Sequence, residues 1–350
     1  MGKGPGVRAM RGQRLVAFRP YTMELEDFAL PDAPPPGHLL AETTCTLIST
    51  GTELANYTGI TVDRRAMGDD WRARPYRPGY SYVGVVRAVG DGVEGIGVGD
   101  RVCGHGPHAS VALLEPHNVT VVPEGVTDVQ AAFVTLLIIT MNGVRLARIE
   151  LGDQIAAVGL GMVGNLALQQ ARANGGIPVV GADPLAARRG YAERVGLVAL
   201  DPAAPDFAER AATQTGDGRF DVVLESTGSP AGMKPALQMA ARHGRVVAMG
   251  STRGIVEQFD LYGDVHLPGV TIIGAHITTH PEHANFANRW TMAANRTVAL
   301  RLLAEGRVDV DALVSHREPA THAPDLFALL ADRRAEAMGC ILDWQTAPHP

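Results

Sequence analysis

The most constraining stretch of the chain is AAVGLGMVGNLALQQA, residues 156–171. It spaces three glycines as Gly159-x-Gly161-x-x-Gly164, at the point where an apolar run gives way to a helical pattern. In that setting each glycine has a physical task. Gly159 permits a tight turn, Gly161 lets the backbone approach a pyrophosphate, and Gly164 lets the helix pack close to the strand. The helix then offers the backbone N–H groups of Met162, Val163 and Gly164, and a partial positive charge, to the phosphates. The same spacing in another context is only a glycine-rich turn. Here strand, loop and helix occur in the required order.

A second apolar run, 178–183, ends in Asp183, roughly twenty residues beyond the glycines. A carboxylate there accepts both ribose hydroxyls and repels a 2′-phosphate, which favours NAD. Arg188 and Arg189 follow closely and keep NADP open. Around this unit apolar strands alternate with helices. QIAAVG (154–159), PVVGAD (178–183), LVALD, FDVVLEST (220–227), RVVAMGS (245–251) and VTIIGAH (270–276) read as strands, with helical stretches between the earlier ones. This is the rhythm of a parallel, doubly wound sheet, buried on both faces.

The stretch before it is different. Residues from about 13 to 120 are rich in Gly, Pro, Val and Thr, with short β-type runs between turn signals, which predicts an antiparallel barrel. From about 285 the pattern becomes helical again and ends on a strand-like CILDW. The expected domains are 1–125, with 1–13 a flexible tail, then 126–284, then 285–350 returning to the first. A length of 350 residues suits about two domains.

Bulk properties exclude several function classes. A net charge of -6 gives no footprint for nucleic acid or anionic membrane. The longest apolar run, 131–139, is too short to span a bilayer. The three cysteines, Cys45, Cys103 and Cys340, lie far apart, so neither a disulfide framework nor a cysteine-rich zinc site is expected, and a cytoplasmic location fits. A small-molecule substrate is the expected partner.

The layout resembles the medium-chain dehydrogenase/reductase superfamily along nearly the whole chain. PGYSYVGVVRAVGDGVEGIGVGDRV is similar to that family's P-G-H-E-x-x-G-x-V segment and its later V-G and G-D-R-V. ISTGTEL (48–54) resembles its G-I-C-G-T-D segment, and GRVVAMG and IIGAH its later strands. LISTGTEL, PHAS and DVHLPGVTIIGAH are similar to a zinc-lacking branch labelled bacteriochlorophyllide-dehydrogenase-like or threonine-dehydrogenase-like. The resemblance implies an α/β chain: a doubly wound Rossmann domain plus a GroES-like β-barrel catalytic domain. It also implies a homodimer paired through the strand around 270–275.

The departures from the family pattern bear on chemistry. Where zinc-dependent members carry Cys, this chain has Ser49 or Thr50; where they carry His and Glu, it has Tyr80 and Ser81. The third ligand falls near Leu136. No tetrahedral zinc set can be assembled from these, so no zinc is expected. Hydride transfer then needs other donors to the substrate oxygen. Tyr80 either supplies a hydroxyl there, with Ser49 and Thr50 assisting, or fills the vacated metal pocket. His276 is the histidine best placed as an acid near neutral pH, because it follows the last sheet strand. Glu53, Ser81 and His108 are expected at the substrate pocket. Thr140, Thr227 and Gly250 are expected to line the cofactor. The basic loop holding Arg64, Arg65, Arg72, Arg74 and Arg77 is either an anion-recognising element or a solvated lid. The leading reading is a zinc-independent oxidoreductase of a secondary alcohol or ketone. Reduction of an activated C=C bond, and a non-catalytic nucleotide sensor, are the alternatives.

Overall fold

The structure, a computed structural model, describes residues 9–60, 74–256 and 259–345. Arg64, Arg65 and Arg72 of the basic loop lie outside the described residues, as does most of the expected N-terminal tail. Contacts divide the chain into two units. One gathers the residues up to Thr135 with Arg296–Leu300 and those from Val314 onward; the other holds Leu136–Asn295 and Arg301–Leu313. The expected break after residue 125 therefore falls early, and 285–295 and 301–313 stay with the nucleotide-type unit instead of returning to the first.

The first unit contains β1 (Ala9–Val16), β2 (Glu24–Pro31), β3 (Leu39–Ile48), α1 (Thr52–Tyr57), β4 (Tyr82–Val89), β5 (Arg101–Gly104), β6 (Val111–Leu114), β7 (Val119–Val121) and α2 (Asp128–Ala132). Residues 9–13, expected in a flexible tail, instead pair with β2 from Ala9↔Pro31 to Gln13↔Asp27. The long strand β3 is the organiser of this unit. It pairs antiparallel with β4, β6 and the C-terminal strand Gly339–Asp343. Its side chains are buried at every position but one, so a LLAETTCTLI run can hold packing partners on both faces. Leu15, Ile48, Phe327, Leu342 and Trp344 fill one core, and Leu39, Tyr82, Val86 and Val102 another. The result is the GroES-like barrel.

The second unit opens with α3 (Val134–Leu146), which begins at the close of the first, and continues through β8 (Ile155–Val158), α4 (Met162–Ala173), β9 (Val179–Ala182), α5 (Ala186–Arg194), β10 (Val198–Leu200), α6 (Phe207–Thr215), β11 (Phe220–Glu225), α7 (Met233–Met239), β12 (Ala240–Ala248) and β13 (Thr271–Gly274). The strands are parallel, in the order β10-β9-β8-β11-β12-β13. That is the doubly wound order whose direction of winding reverses between β8 and β11. Strands IAAV and VVGA are buried throughout, as a sheet covered on both faces requires.

Two elements depart from expectation. β12 starts at Ala240, inside the stretch expected as helix. The helix expected from about 285 begins only at Met292 as α8 (Met292–Ala304), because Thr291 caps it by accepting from the Ala294 N–H. Among the described residues no helix is long and apolar enough to cross a membrane.

Gly164 fixes how α4 approaches the sheet. A Cβ there would lie 1.9 Å from the Gly159 carbonyl oxygen and 2.5 Å from Ser226 Oγ. Gly164→Ala is expected to destabilise the protein by about 1–3 kcal/mol, read as a lowered midpoint in urea unfolding.

Candidate cofactor site and catalytic floor

The glycine loop lies at the carboxyl edge of the parallel sheet. Gly159 has φ of 92°, a conformation L side chains rarely adopt, and the Ser226 hydroxyl donates to its carbonyl at 2.8 Å. Gly161 is the N-cap of α4, with ordinary backbone angles, φ −65° and ψ −175°. A Cβ on Gly161 would meet nothing within 4 Å. Gly161 therefore faces open space while Gly164 faces packed backbone. The Met162 side chain is buried and Val163 is partly so; what they offer a phosphate is the unpaired N–H groups of the first helical turn.

Asp183 stands at the end of β9, 8% exposed. Its Oδ2 accepts the Leu160 N–H at 2.8 Å and its Oδ1 the Leu185 N–H at 2.8 Å, so the carboxylate is oriented by the loop it serves. Each oxygen keeps a lone pair for a ribose hydroxyl. Arg188 is buried and has an interaction partner, so it does not present a free cation. These features fit NAD(P): an anion-binding helix start, room above Gly161 and an acid at the ribose position.

Thr227 follows β11, where its N–H donates to Glu225 Oε1 at 2.9 Å and its hydroxyl to the same oxygen. Glu225 is 1% exposed, and its carbonyl accepts the N–H groups of Met249 and Gly250. It thus ties two strand ends together. The sequence carries its signal, a carboxylate closing the apolar run FDVVLE, but the reading above passed over it. Gly250 lacks a Cβ for packing reasons: one would lie 2.6 Å from the Gly228 nitrogen. Thr140, expected at the nicotinamide, is fully buried and donates to the carbonyls of Leu136 and Leu137 in its own helix. That hydroxyl is spent on α3, which corrects the expectation.

His276 is exposed, and caps the turn Ile277–Thr279 by accepting the Thr278 N–H at Nδ1, 3.3 Å. Asn142 Nδ2 donates to the His276 carbonyl and to Thr279 Oγ1. Beside it His280 donates to the Ile277 carbonyl at 2.7 Å and accepts from Asn295 Nδ2, an arrangement that needs a neutral ring. Burial lowers its pKa in the same sense. Asn295 Oδ1 accepts from Arg145 Nε, and that guanidinium lies over the Trp290 ring at 3.4 Å. Burial, with Arg289 nearby, brings Arg145 down to about 10.

In the barrel unit the turn before α1 and the mouth of β4 meet. Ser49 and Thr50 are buried. The Ser49 and Thr52 side chains stand near the Tyr80 hydroxyl and favour its ionised form. Burial of that hydroxyl end, reinforced by the Glu53 charge, pushes the phenol above its usual range, so Tyr80 is a protonated donor at neutral pH. Its ring is partly exposed and stacks on His105, centroids 6.4 Å apart and planes at 17°. Burial lowers the His105 pKa, Arg296 lowers it further and Glu53 opposes this; the ring is neutral at pH 7. Thr135 donates to the carbonyls of Tyr80 and Gly104, which fixes the two chain segments side by side. Thr52 and His105 complete this floor, and Thr52 was not among the residues singled out for it.

Glu53 and Ser81 line none of the cavities found among the described residues, and His108 borders a cavity shared with Arg77, Pro78 and Pro107. All three are buried, at 1%, 1% and 0% exposure. Glu53 Oε2 accepts the Ser49 N–H at 2.6 Å, and its Oε1 lies 3.1 Å from His108 Nε2, though poorly aligned for a hydrogen bond. His108 Nδ1 is 2.7 Å from Thr46 Oγ1, which accepts from Trp344 Nε1 at 2.9 Å. These groups support the floor from beneath.

The same positions test the zinc expectation. The three that carry Cys, His and Glu in zinc-dependent relatives hold hydroxyls here. Among the described residues no group of three or more His, Cys, Asp and Glu side chains could hold a metal ion. Side-chain hydroxyls are not the Cys, His and carboxylate donors that zinc sites use.

Comparisons agree with the fold and with the nucleotide half of the site. A family model described as zinc-binding dehydrogenase matches residues 162–294. D-guloside 3-dehydrogenase of Escherichia coli (strain K12) is 27% identical over 265 residues, covering 75% of each chain. L-threonine 3-dehydrogenase of Pyrococcus furiosus is 27% identical over 332 residues, covering 85% of this chain and 88% of its own. An alcohol dehydrogenase from E. coli CFT073, solved with NADH, superposes with a TM-score of 0.78 at 18% identity, over 95% of this chain and 99% of that one. Barrel unit, doubly wound unit and glycine loop define a nicotinamide-dependent dehydrogenase. Over 162–294 the chain is similar to zinc-binding dehydrogenases, and along most of its length to dehydrogenases of the medium-chain type.

Because Gly161 has ordinary backbone angles and open space where its Cβ would stand, Gly161→Val is expected to leave the unfolding midpoint within about 0.5 kcal/mol of wild type. The same change is expected to weaken NADH binding at least about tenfold, read by nucleotide fluorescence titration.

Proposed function

We propose that this protein is a zinc-independent, NAD-linked oxidoreductase of a secondary alcohol or the corresponding ketone, on a sugar, cyclitol or related biosynthetic intermediate. One observation carries the reading: the Tyr80 phenol, kept protonated, sits among the Ser49 and Thr52 hydroxyls at the place where relatives carry metal ligands. The dehydrogenases of D-guloside and L-threonine among the relatives support the substrate class. Asp183, with its carboxylate oriented by Leu160 and Leu185, supports NAD.

When bound, the nicotinamide supplies the hydride in reduction and accepts it in oxidation. The Gly161 turn and the start of α4 hold its phosphates, and Asp183 holds a ribose. Tyr80 donates its O–H to the substrate carbonyl oxygen, where negative charge develops as the carbon accepts the hydride. The proton then passes from Tyr80 Oη to that oxygen, giving the alcohol. Ser49 and Thr52 donate to the phenolate left behind, and solvent returns the proton. Oxidation runs these steps in reverse. Burial, with the Glu53 charge, raises the phenol pKa, so the group stands protonated, the state from which it donates in reduction. Burying Glu53 against His108 keeps that carboxylate from reaching the substrate. A second copy of the chain is proposed to pair along the outer edge of β13, where Ile272 is 42% exposed.

Tyr80→Phe removes the donor and keeps the ring on His105. Ketone reduction is expected to lose about 100-fold or more in kcat while NADH affinity stays unchanged. Full turnover by Tyr80→Phe would remove Tyr80 from the mechanism and leave it as filler.

A further inference from the structure

We infer that Asp201 determines cofactor choice by latching Arg189 away from the ribose edge of the nucleotide site. This deepens the NAD reading above and rests on it. Asp183 and Asp201 close neighbouring parallel strands. In the register of β9 and β10, Leu200 lies opposite Ala182, so the next residue on each strand is one of the two acids. The Asp183 N–H donates to the Leu200 carbonyl at 3.2 Å, which holds the strand ends together.

Arg189 rises from the first turns of α5 and folds back over this pair. Its Nη1 donates to the Asp183 carbonyl at 2.9 Å and to the Pro184 carbonyl at 2.8 Å. Its Nη2 lies 3.1 Å from Asp201 Oδ2, with the two side chains only 19% and 27% exposed. Asp201 is itself fixed, since its Oδ1 accepts the Ala203 N–H at 2.9 Å. The guanidinium is therefore held at three points, and its charge is balanced by an acid that takes no part in holding the loop.

The consequence is electrostatic. Asp183, Asp201 and Arg189 together leave one net negative charge at the ribose edge, which repels a 2′-phosphate. Without the Asp201 carboxylate the net charge there is zero. Nη2 is then free, on a guanidinium already within hydrogen-bond distance of the Asp183 backbone. A guanidinium is the side chain best suited to grip a phosphate through two N–H groups. On this account discrimination lies in the latch as much as in Asp183, and Arg189 is a 2′-phosphate ligand held in reserve.

The test titrates the full-length protein with NADH and with NADPH, following nucleotide fluorescence. Wild type is expected to prefer NADH. Asp201→Asn, which keeps the shape and the acceptor for Ala203, is expected to shift the NADPH-to-NADH affinity ratio toward NADPH by about tenfold. Asp201→Glu is expected to retain the wild-type preference. Adding Arg189→Ala to Asp201→Asn is expected to abolish the gain, an outcome that a general loosening of the strand end would not produce. An unchanged ratio in a folded Asp201→Asn variant overturns the inference, as does a gain that survives loss of Arg189. Wild type that binds neither nucleotide overturns the dinucleotide reading and the latch with it; wild type that binds both, with an Asp201→Asn ratio unchanged, overturns the latch alone.

Discussion

The nucleotide half of this enzyme depends on one close approach, that of the α4 backbone at Gly164 to the carbonyl of Gly159. A side chain at Gly164 would overlap that oxygen. With none there, the helix start, the turn and the end of β8 lie against one another, and Ser226, just after β11, clamps the turn from the other side. The N–H of Leu160, inside the turn, then orients Asp183 on the next strand. Phosphate site and ribose acid are thus positioned by one piece of backbone packing. Glu225 extends the same logic to the ends of β11 and β12.

The barrel half is organised around buried polarity. Burying a carboxylate and an imidazole is costly unless each finds partners. Glu53 has the Ser49 N–H and His108; His108 has Thr46; Thr46 has Trp344. The chain of contacts runs from the C-terminal strand to the turn that carries Ser49 and Thr52. Its reward is placement: the two hydroxyls stand near the Tyr80 phenol, whose pKa burial and then the Glu53 charge raise. A hydrogen bond to developing negative charge strengthens as water is excluded around it.

Much of this was legible in the sequence, for local reasons. Continuous apolar strands separated by helical stretches announce a parallel sheet, and Gly159, Gly161, Gly164 and Asp183 are read by spacing alone. Tyr80 and Ser81 stood out because they interrupt a recognisable segment. What escaped reading depends on contacts between distant parts of the chain. Glu53 looked like a pocket residue because it stands where the family has an acid, and His108 because it lies in a loop of the barrel; only folding brings them together, 55 residues apart in sequence, and buries both. Thr46 meets Trp344 across a sequence separation of 298. Thr140 and Gly250 sit at plausible positions, yet the helix carbonyls of α3 and the Gly228 backbone claim them. Arg189 looked like a cation open to the cofactor, and Asp201 is what changes that.

The central claim is that hydroxyl groups replace a metal at the reacting oxygen. The most direct measurement is the metal content of purified, NAD(P)H-active protein, set beside its turnover after exhaustive dialysis against a chelator. The account predicts far less than one zinc per chain and undiminished turnover. Zinc at one per chain, with turnover lost on chelation and restored by zinc, would contradict it.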